Sequence, residues 1–287
     1  MTVGGGSRIV HSMVWVVGAV AIDMIAVRER FLEGTSNPSD ISLGLGGVGY
    51  RIFSNLEAPR RFITALADDP ISRWAREALE AGGDVVLQLI KGSNAGPPLY
   101  LALMESGSLK VAASDFRIVE EALSVDFVTR QIGEPGPGDF LVLDANLSPK
   151  LLAALVHRYA AQTRLVFESV SVEKALRHLD ALRDLYLVTP TEEEVDALAA
   201  NDIPGFMSDR RIQNVLVTRG SAGASLYRTA GREDFAPSVV VAAPDTTGAG
   251  DLLLAGLLSR LHRGEELSAA VRRSMLAVEA RLQKGEL

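Results

Sequence analysis

Short apolar runs that alternate with helix-like segments are the feature that most constrains the fold of this chain. Each run has the length of a buried strand, and most are followed by a segment with helical periodicity. The predicted strands are 14–22, 61–67, 84–90, 140–143, 164–167, 185–189 and 214–218, and the predicted helices are 70–81, 148–160, 171–183 and 191–200. Uninterrupted apolar strands alternating with helices predict an α/β fold, in which helices cover both faces of a mostly parallel sheet.

Residues typical of helix N-termini begin three of these helices. Ser148 stands before Pro149, Ser171 precedes Val172, and Thr191 precedes three glutamates. A hydroxyl at the cap position accepts a hydrogen bond from a backbone N–H that has no partner inside the helix. Proline suits the first helical turn because its fixed φ is already helical. These residues therefore support the predicted helix starts.

Two regions interrupt the alternation. Residues 28–45 are polar and carry few helix signals, while residues 97–114 have the pattern of two strands around a Ser-Gly turn. We expect both to contribute to a small β layer, here called the lid, with approximate bounds 24–45 and 97–114. The Gly/Pro-rich stretch 133–140 is too short to separate domains, so we expect residues 1–287 to form one domain.

Composition excludes several functions. The chain has no cysteine, which rules out disulfides, thiolate zinc sites and cysteine nucleophiles, and which is typical of a cytoplasmic protein. Its net charge of −7, with dispersed basic residues, argues against nucleic-acid binding and against a membrane surface. The N-terminal apolar run is interrupted by Asp23 and is too short to span a membrane.

The stretch PDTTGAGDLLLAGLL, residues 244–258, is the strongest candidate site. Gly248, Ala249 and Gly250 have almost no side chain, so their backbone N–H groups can approach a ligand closely. They lead into a predicted helix at 251–262, whose positive N-terminal end favours an anion at the same place. We expect the helix field to stabilise Asp251 as a carboxylate. A general base, Asp251, beside a phosphate-binding site made of backbone N–H groups could catalyse the transfer of a phosphoryl group to a hydroxyl.

The string D-T-T-G-A-G-D within this stretch resembles the C-terminal signature of the PfkB, or ribokinase-like, carbohydrate kinases. The resemblance implies that Asp251 is the catalytic base and that Gly248, Ala249 and Gly250 form the anion hole. Asp245 and Thr247 match positions that hold K⁺ in many members. The fold that the resemblance implies is a ribokinase-like three-layer α/β sandwich with a mostly parallel central sheet and a small β lid.

Two N-terminal segments resemble the acceptor site of the same family. VVGAVAIDMIA resembles its first strand, which implies that Asp23 binds substrate hydroxyls. GLGGVGYRIFSNL resembles its Gly-Gly substrate loop and helix, which implies that Gly46 and Gly47 let the backbone approach the sugar. Arg51 stands where the family usually has a substrate-binding asparagine, so this side chain either blocks that contact or binds an acidic group.

Two later segments resemble the nucleotide site of the family. VLVTRGSAGASLY matches its T-x-G-x-x-G loop, which implies that Thr218, Gly220 and Gly223 contact ATP. VTPTEEEVDAL resembles its T-P-N-x-x-E segment, with Thr191 in place of asparagine at the nucleotide site. Glu194 in that segment matches the glutamate that organises Mg²⁺ and its waters.

Further segments resemble the pseudouridine kinase branch. They include PLYLALMESGSLKVAASDF with Tyr100 in a lid strand, LVLDANLS, and VFESVSVEKA, in which Glu168 and Ser169 replace an aspartate and a proline. The resemblance implies a small-molecule partner, a sugar or nucleoside, with the 5′-hydroxyl of pseudouridine as one acceptor. An apolar lid face would need cover, which predicts a homodimer through the lid.

Two alternatives remain open from the sequence. Gly44, Gly46 and Gly49 fit G-x-G-x-x-G, and Asp68 and Asp69 follow about 20 residues later, as in NAD-dependent dehydrogenases. That reading leaves the string D-T-T-G-A-G-D unexplained. The other alternative is a ligand-binding or regulatory protein on a kinase fold with weakened catalysis. It follows from the loss of the two asparagines, because positioning contacts supply much of the rate of phosphoryl transfer.

Overall fold

A computed structural model describes residues 12–92, 94–239 and 247–286, which form 13 strands and 10 α-helices. In chain order these are β1 (Val14–Val17), β2 (Ala21–Arg28), β3 (Asp40–Gly46), α1 (Val48–Asn55), β4 (Arg60–Ala67), α2 (Pro70–Ala81), β5 (Val85–Ile90), β6 (Leu99–Glu105), β7 (Ser108–Asp115), α3 (Arg117–Ala122), α4 (Val125–Ile132), β8 (Phe140–Asp144), α5 (Pro149–Tyr159), β9 (Arg164–Glu168), α6 (Val172–Arg177), β10 (Leu187–Thr189), α7 (Glu192–Ala199), α8 (Ile203–Arg210), β11 (Asn214–Thr218), β12 (Ala224–Arg228), β13 (Gly231–Phe235), α9 (Ala249–His262) and α10 (Leu267–Lys284).

The strands form a large and a small sheet. The large sheet has nine strands in the order β13-β12-β11-β10-β9-β8-β1-β4-β5, of which β12 and β13 are antiparallel to their neighbours and the others pair in parallel. The small sheet has the order β3-β2-β6-β7. The predicted α/β architecture, with a mostly parallel central sheet and a smaller sheet, is confirmed.

Helices cover both faces of the large sheet. Along β1, Val14 and Val16 pack into one buried cluster with residues of α1, α2, α9 and α10. Trp15 and Val17 pack into a second cluster with residues of α3 to α8. Side chains alternate between the two faces of a strand, so an entirely apolar strand is buried on both sides.

The prediction of one strand over residues 14–22 is wrong. The chain leaves the large sheet after Val17, crosses at Gly18–Val20 and enters the small sheet as β2 at Ala21. A Cβ at Gly18 would overlap the Asp144 carboxylate, so the crossing needs glycine. Hydrophobicity is continuous across the break because all nine residues from Val14 to Ile22 are buried, and periodicity cannot show such a break.

The helix placements are close to those predicted. The first predicted helix coincides with α2, while the one predicted at 171–183 ends as an α-helix at Arg177 and continues as a short 3-10 turn at Leu179–Ala181. The caps at Ser148, Ser171 and Thr191 are present, each hydroxyl accepting a bond from the third helical residue. No helix within the described ranges is long and apolar enough to cross a membrane.

Candidate active site

The first turn of α9 lies at the edge of the large sheet where the parallel strands end. Asp144, Glu168 and Thr189 are the last residues of β8, β9 and β10, so their side chains meet at this carboxyl edge. In open α/β sheets, ligands bind outside the carboxyl ends of the strands. The fold therefore places residues 247–251, the described part of the D-T-T-G-A-G-D motif, where such a sheet can form a site.

Gly248 makes the α9 terminus accessible. It is the N-cap residue, with φ of 89° in the left-handed region, and no side chain within the described chain caps this helix. An L-residue would be strained at this φ, and a Cβ here would stand 2.6 Å from Nη1 of Arg51. Ala249 and Gly250 follow as the first helical residues, and Gly250 is exposed. The N–H groups of this turn are therefore available to an anion.

Asp251 lies in this turn with only 9% of its surface exposed. The pKa of its carboxyl is raised to about 7: burial is the main cause, the Arg51 charge opposes the rise, and the neighbouring Asp144 charge adds to it. Burial therefore acts against the expected stabilisation of Asp251 as a carboxylate by the start of α9. A carboxyl group with a pKa near 7 suits a general base at neutral pH.

Glu168 is a site residue that the sequence did not identify. It is the last residue of β9, and Thr189 donates a hydrogen bond to its Oε2 atom. Burial raises the pKa of Glu168 well above its usual value, and the negative charges of Asp251 and Glu194 raise it further. An aspartate-to-glutamate exchange in the VFESVSVEKA segment was the only signal at this position.

The residues predicted for the acceptor lie together at the base of the small sheet. Asp23 on β2 is directly opposite Gly44 of β3 and Tyr100 of β6 in the strand register. Its carboxylate covers Gly46, where a Cβ would overlap it. Gly47 has a φ of 87°, and a Cβ there would stand 2.7 Å from the backbone nitrogen of Ala21. Only glycines thus let the loop approach β2 this closely.

Arg51 connects this acceptor region to the start of α9. Its Nη2 atom lies 3.1 Å from Oδ2 of Asp23, and its Nη1 atom donates to the carbonyl oxygen of Thr247 at 3.2 Å. Burial raises the pKa of Asp23, and the hydrogen bond from Arg51 opposes that rise. The structure therefore places Asp23, Arg51 and Asp251 around one space.

The residues predicted for the nucleotide line a cleft of about 770 Å³ beside α9. Thr191, Thr218, Gly220 and Gly223 line this cleft together with Ala249 and Gly250 of the first turn of α9. Gly223 has a φ of 91°, and a Cβ there would overlap the carbonyl oxygen of Phe235. The sequence did not identify a second, largely apolar group of lining residues, which includes Pro237, Val239, Leu253, Met275, Val278, Glu279 and Leu282.

Glu194 caps its own helix in the structure. Its Oε2 atom accepts hydrogen bonds from the Thr191 backbone at 2.8 Å and from the Ser169 hydroxyl at 2.6 Å. Thr191 reciprocates by accepting from the Glu194 backbone, which completes a capping box. Of the predicted K⁺ residues, Thr247 offers its carbonyl to Arg51, and Asp245 lies outside the described residues.

The glycines of the dehydrogenase alternative do not form a dinucleotide turn. Gly44 and Gly46 lie within β3, which belongs to the small sheet and runs antiparallel to β2, and Gly49 lies in α1. A dinucleotide turn requires a strand of the parallel sheet before the first glycine. Asp69 caps α2 by accepting from the backbones of Ile71 and Ser72, and Asp68 pairs with Arg73.

Comparison with known proteins agrees with this geometry. Residues 11–285 match the family described as pfkB family carbohydrate kinase. The chain is 23% identical over 273 residues to a pseudouridine kinase of Escherichia coli (strain K12), covering 90% of this chain and 86% of that protein.

Solved structures share the fold. A carbohydrate kinase from Agrobacterium tumefaciens has a TM-score of 0.79 and 26% identity, with 95% of this chain and 91% of that chain covered. A ribokinase from Thermotoga maritima has the same TM-score at 19% identity, with 93% and 91% covered. The fold is thus ribokinase-like.

Proposed function

The chain belongs to the pfkB family of carbohydrate kinases, and from this premise we propose that it transfers the γ-phosphoryl group of ATP to a hydroxyl of a sugar or nucleoside. Membership makes the protein a phosphotransferase. The observation that carries the specific proposal is the position of Asp251. It lies in the glycine-capped first turn of α9, with a pKa of about 7, between the 770 Å³ cleft and the acceptor residues around Asp23.

Each group has a proposed part in the transfer. Thr191, Thr218, Gly220 and Gly223 hold the nucleotide, with its phosphates directed at the start of α9. Asp23, Gly46, Gly47 and Tyr100 hold the acceptor. Asp251 takes the proton of the attacking hydroxyl, and the N–H groups of residues 248–250 stabilise the charge of the transferring phosphoryl group.

The carboxylates of Glu168 and Glu194 fit a divalent cation that binds together with the nucleotide. Among residues 12–92, 94–239 and 247–286, no three acidic or histidine side chains are close enough to hold a metal ion. Glu168 is nevertheless half-buried beside the charges of Asp251 and Glu194. Mg²⁺ binds through few carboxylates, through waters and through phosphates, and would neutralise charge on the transferring group. Glu168 and Glu194 would orient the waters bound to Mg²⁺. The binding of K⁺ by Asp245 and Thr247 stays a prediction.

Pseudouridine is the acceptor that we propose first. The pseudouridine kinase relative covers most of the chain, and Tyr100 stands directly opposite Asp23 in the strand register. The ring of Tyr100 would contact the base of the nucleoside, while the Asp23 carboxylate accepts hydrogen bonds from the ribose hydroxyls. The small sheet would serve as a lid that excludes water and so limits ATP hydrolysis.

Gly46→Ala tests the acceptor region. The new methyl group would overlap the Asp23 carboxylate, so we expect the acceptor kcat/KM to fall about 100-fold, as for a small misplacement of a positioning group. The dissociation constant for ATP, measured by calorimetry, should not change. Gly44→Ala is the matched control, because it lies on the same strand and its Cβ would meet nothing within 4 Å. Equal kinetics in the two variants would contradict the assignment of Asp23.

The small sheet has an apolar face that we assign to a second copy of the chain. Ile41, Leu43, Leu101 and Val111 are 71%, 51%, 46% and 53% exposed, and their register places them on the face opposite to Asp23. A contiguous apolar surface of this kind is costly in water unless it is covered. Because this apolar face lies on the side of the small sheet away from Asp23, two copies could associate through it without blocking access to the acceptor residues.

Sedimentation velocity tests the dimer. We expect the wild-type chain to sediment as a dimer and Ile41→Glu to sediment as a monomer. Leu176→Glu is the matched control, because it introduces the same charge at a residue of α6 that is 41% exposed, outside the small sheet. A wild-type chain that stays monomeric up to high micromolar concentration would refute this surface.

A further inference from the structure

The Arg51 side chain lies between the proposed acceptor residues and the first turn of α9. One nitrogen of its guanidinium, Nη2, lies 3.1 Å from Oδ2 of Asp23, and the other, Nη1, is 3.2 Å from the carbonyl oxygen of Thr247. Nη1 also stands 2.6 Å from the position of a Cβ on Gly248. The guanidinium therefore reaches from the acceptor carboxylate to the N-cap of α9.

The backbone around Arg51 is tightly held. Its own N–H donates to the carbonyl of Gly47 at 2.9 Å, and the N–H of Gly49 donates to the buried Asp144 carboxylate at 3.2 Å. The helix thus begins on a loop that packs directly against β2. A side chain carried on such a rigid element can be positioned precisely enough for chemistry.

The charge distribution favours a phosphoryl group over an anionic group on the acceptor. Asp23 already neutralises the guanidinium on its acceptor side, so an anionic acceptor would meet the Asp23 carboxylate as well. On the other side, Nη1 adjoins the first turn of α9, whose N–H groups also favour an anion. A guanidinium has five N–H groups, so two contacts leave donors for a ligand.

We propose that Arg51 is a catalytic residue whose guanidinium donates to the phosphoryl group during its transfer from ATP to the acceptor. This inference rests on the proposed kinase function. In the step, the acceptor oxygen forms a bond to the γ-phosphorus and the bond from that phosphorus to the β,γ-bridging oxygen breaks. The electron pair leaves with ADP, and the proton of the acceptor hydroxyl passes to Asp251. Arg51 neutralises charge that is spread over the transferring oxygens.

Kinetics of two variants test the proposal. Arg51→Gln removes the charge, and we expect kcat to fall about 100- to 1,000-fold, the range for loss of one preorganised donor, with acceptor KM changed less than about threefold. Arg51→Lys keeps the charge but loses the planar fork, and we expect an intermediate loss of about 10-fold. Arg76→Gln is the control, because Arg76 forms an exposed ion pair with Glu80 on α2.

A binding measurement makes the test independent of turnover. ADP with aluminium fluoride imitates the transferring phosphoryl group, so Arg51→Gln should weaken its binding about 100-fold while leaving ADP binding unchanged. A change in acceptor KM alone, with normal kcat and normal aluminium fluoride binding, would overturn the proposal and indicate an acceptor-binding or structural ion pair. Equal binding of ADP with and without aluminium fluoride to the wild-type protein would overturn it too.

The proposed function fails by a different result, namely the absence of phosphorylated product from wild-type protein with every acceptor. The aluminium fluoride titration still reports on Arg51 in that case. Thermal denaturation of both variants ensures that any loss reflects chemistry and not unfolding.

Discussion

Replacing Asp251 by asparagine is expected to lower kcat by about 100- to 10,000-fold, the range for loss of a general base. Asparagine has nearly the same shape but cannot accept the proton of the attacking hydroxyl. Because the nucleotide cleft is formed by other side chains, the dissociation constant for ATP should stay the same. Asp126→Asn, an exposed acid in the first turn of α4, is the matched control. Near-normal turnover in Asp251→Asn would remove this residue from the mechanism.

The pH dependence of wild-type turnover checks the same assignment. A base with a pKa of about 7 must lose its proton before it can act, so kcat should fall about tenfold per pH unit below 7 and reach a plateau above it. The carboxyl groups of Asp144 and Glu168 and the guanidinium of Arg51 lie close enough to Asp251 to interact with its charge, and Glu194 in turn interacts with Glu168. A rate that is constant down to pH 5 would contradict the assignment, as would an unchanged acid limb in the residual activity of Asp251→Asn.

The same pKa shift predicts that Asp251→Asn is more stable than the wild-type protein. The folded pKa is about 7, above the usual 3.8, so the unfolded chain ionises first as pH rises. Stability is therefore lost between about pH 4 and pH 7, and the full cost, up to roughly 4 kcal/mol, is present above pH 7. We expect the melting temperature of Asp251→Asn to exceed that of the wild type by several degrees at pH 8, with the difference vanishing near pH 4.

Asp144→Ala is expected to be the most destabilising of the proposed substitutions. Asp144 is completely buried and accepts hydrogen bonds from the backbones of Ala19 at 2.9 Å, Gly49 at 3.2 Å and Asn146 at 2.9 Å. Alanine would leave three buried N–H groups without an acceptor, at about 1–3 kcal/mol each. We expect a loss of roughly 3–5 kcal/mol, because burial raises the pKa of Asp144 and offsets part of the gain from those bonds.

Urea denaturation of the wild type and three variants measures this effect. Asp144→Asn keeps one side-chain acceptor, so it should lose less stability than Asp144→Ala. Asp126→Ala, at the exposed first-turn position of α4, should stay within about 0.5 kcal/mol of the wild type. A loss below about 1 kcal/mol in Asp144→Ala would show that the contacts of β1, β8 and α1 do not depend on this carboxylate.

Periodicity and cap residues predicted most of the large sheet and its helices. They failed at Gly18, because the need for glycine there arises from Asp144, which lies far along the chain. Residues 14–22 are apolar whether they form one strand or two, since both strands are buried at this junction. The break is therefore a tertiary property that local patterns do not record.

The candidate site residues came from motifs that are continuous in the sequence, and their roles stay predictions. The residues that the resemblance assigned to the acceptor and nucleotide meet around α9, but their environments could not be inferred. The pKa of Asp251 depends on the burial of its side chain and on the charges of Asp144 and Arg51, which come from β8 and α1. Glu168 is half-buried and close to Asp251 because β9 ends next to β8 in the parallel sheet.

The most direct test of the central claim is product formation by the wild-type protein. The protein is incubated with ATP, Mg²⁺ and, separately, pseudouridine, other nucleosides and free pentoses, and the products are identified by ³¹P NMR and mass spectrometry. The proposed function predicts ADP and a monophosphate ester on one acceptor hydroxyl, formed in equal amounts. Binding of ATP and an acceptor by calorimetry, with no ester from any compound, would contradict it and would identify a ligand-binding protein on a kinase fold.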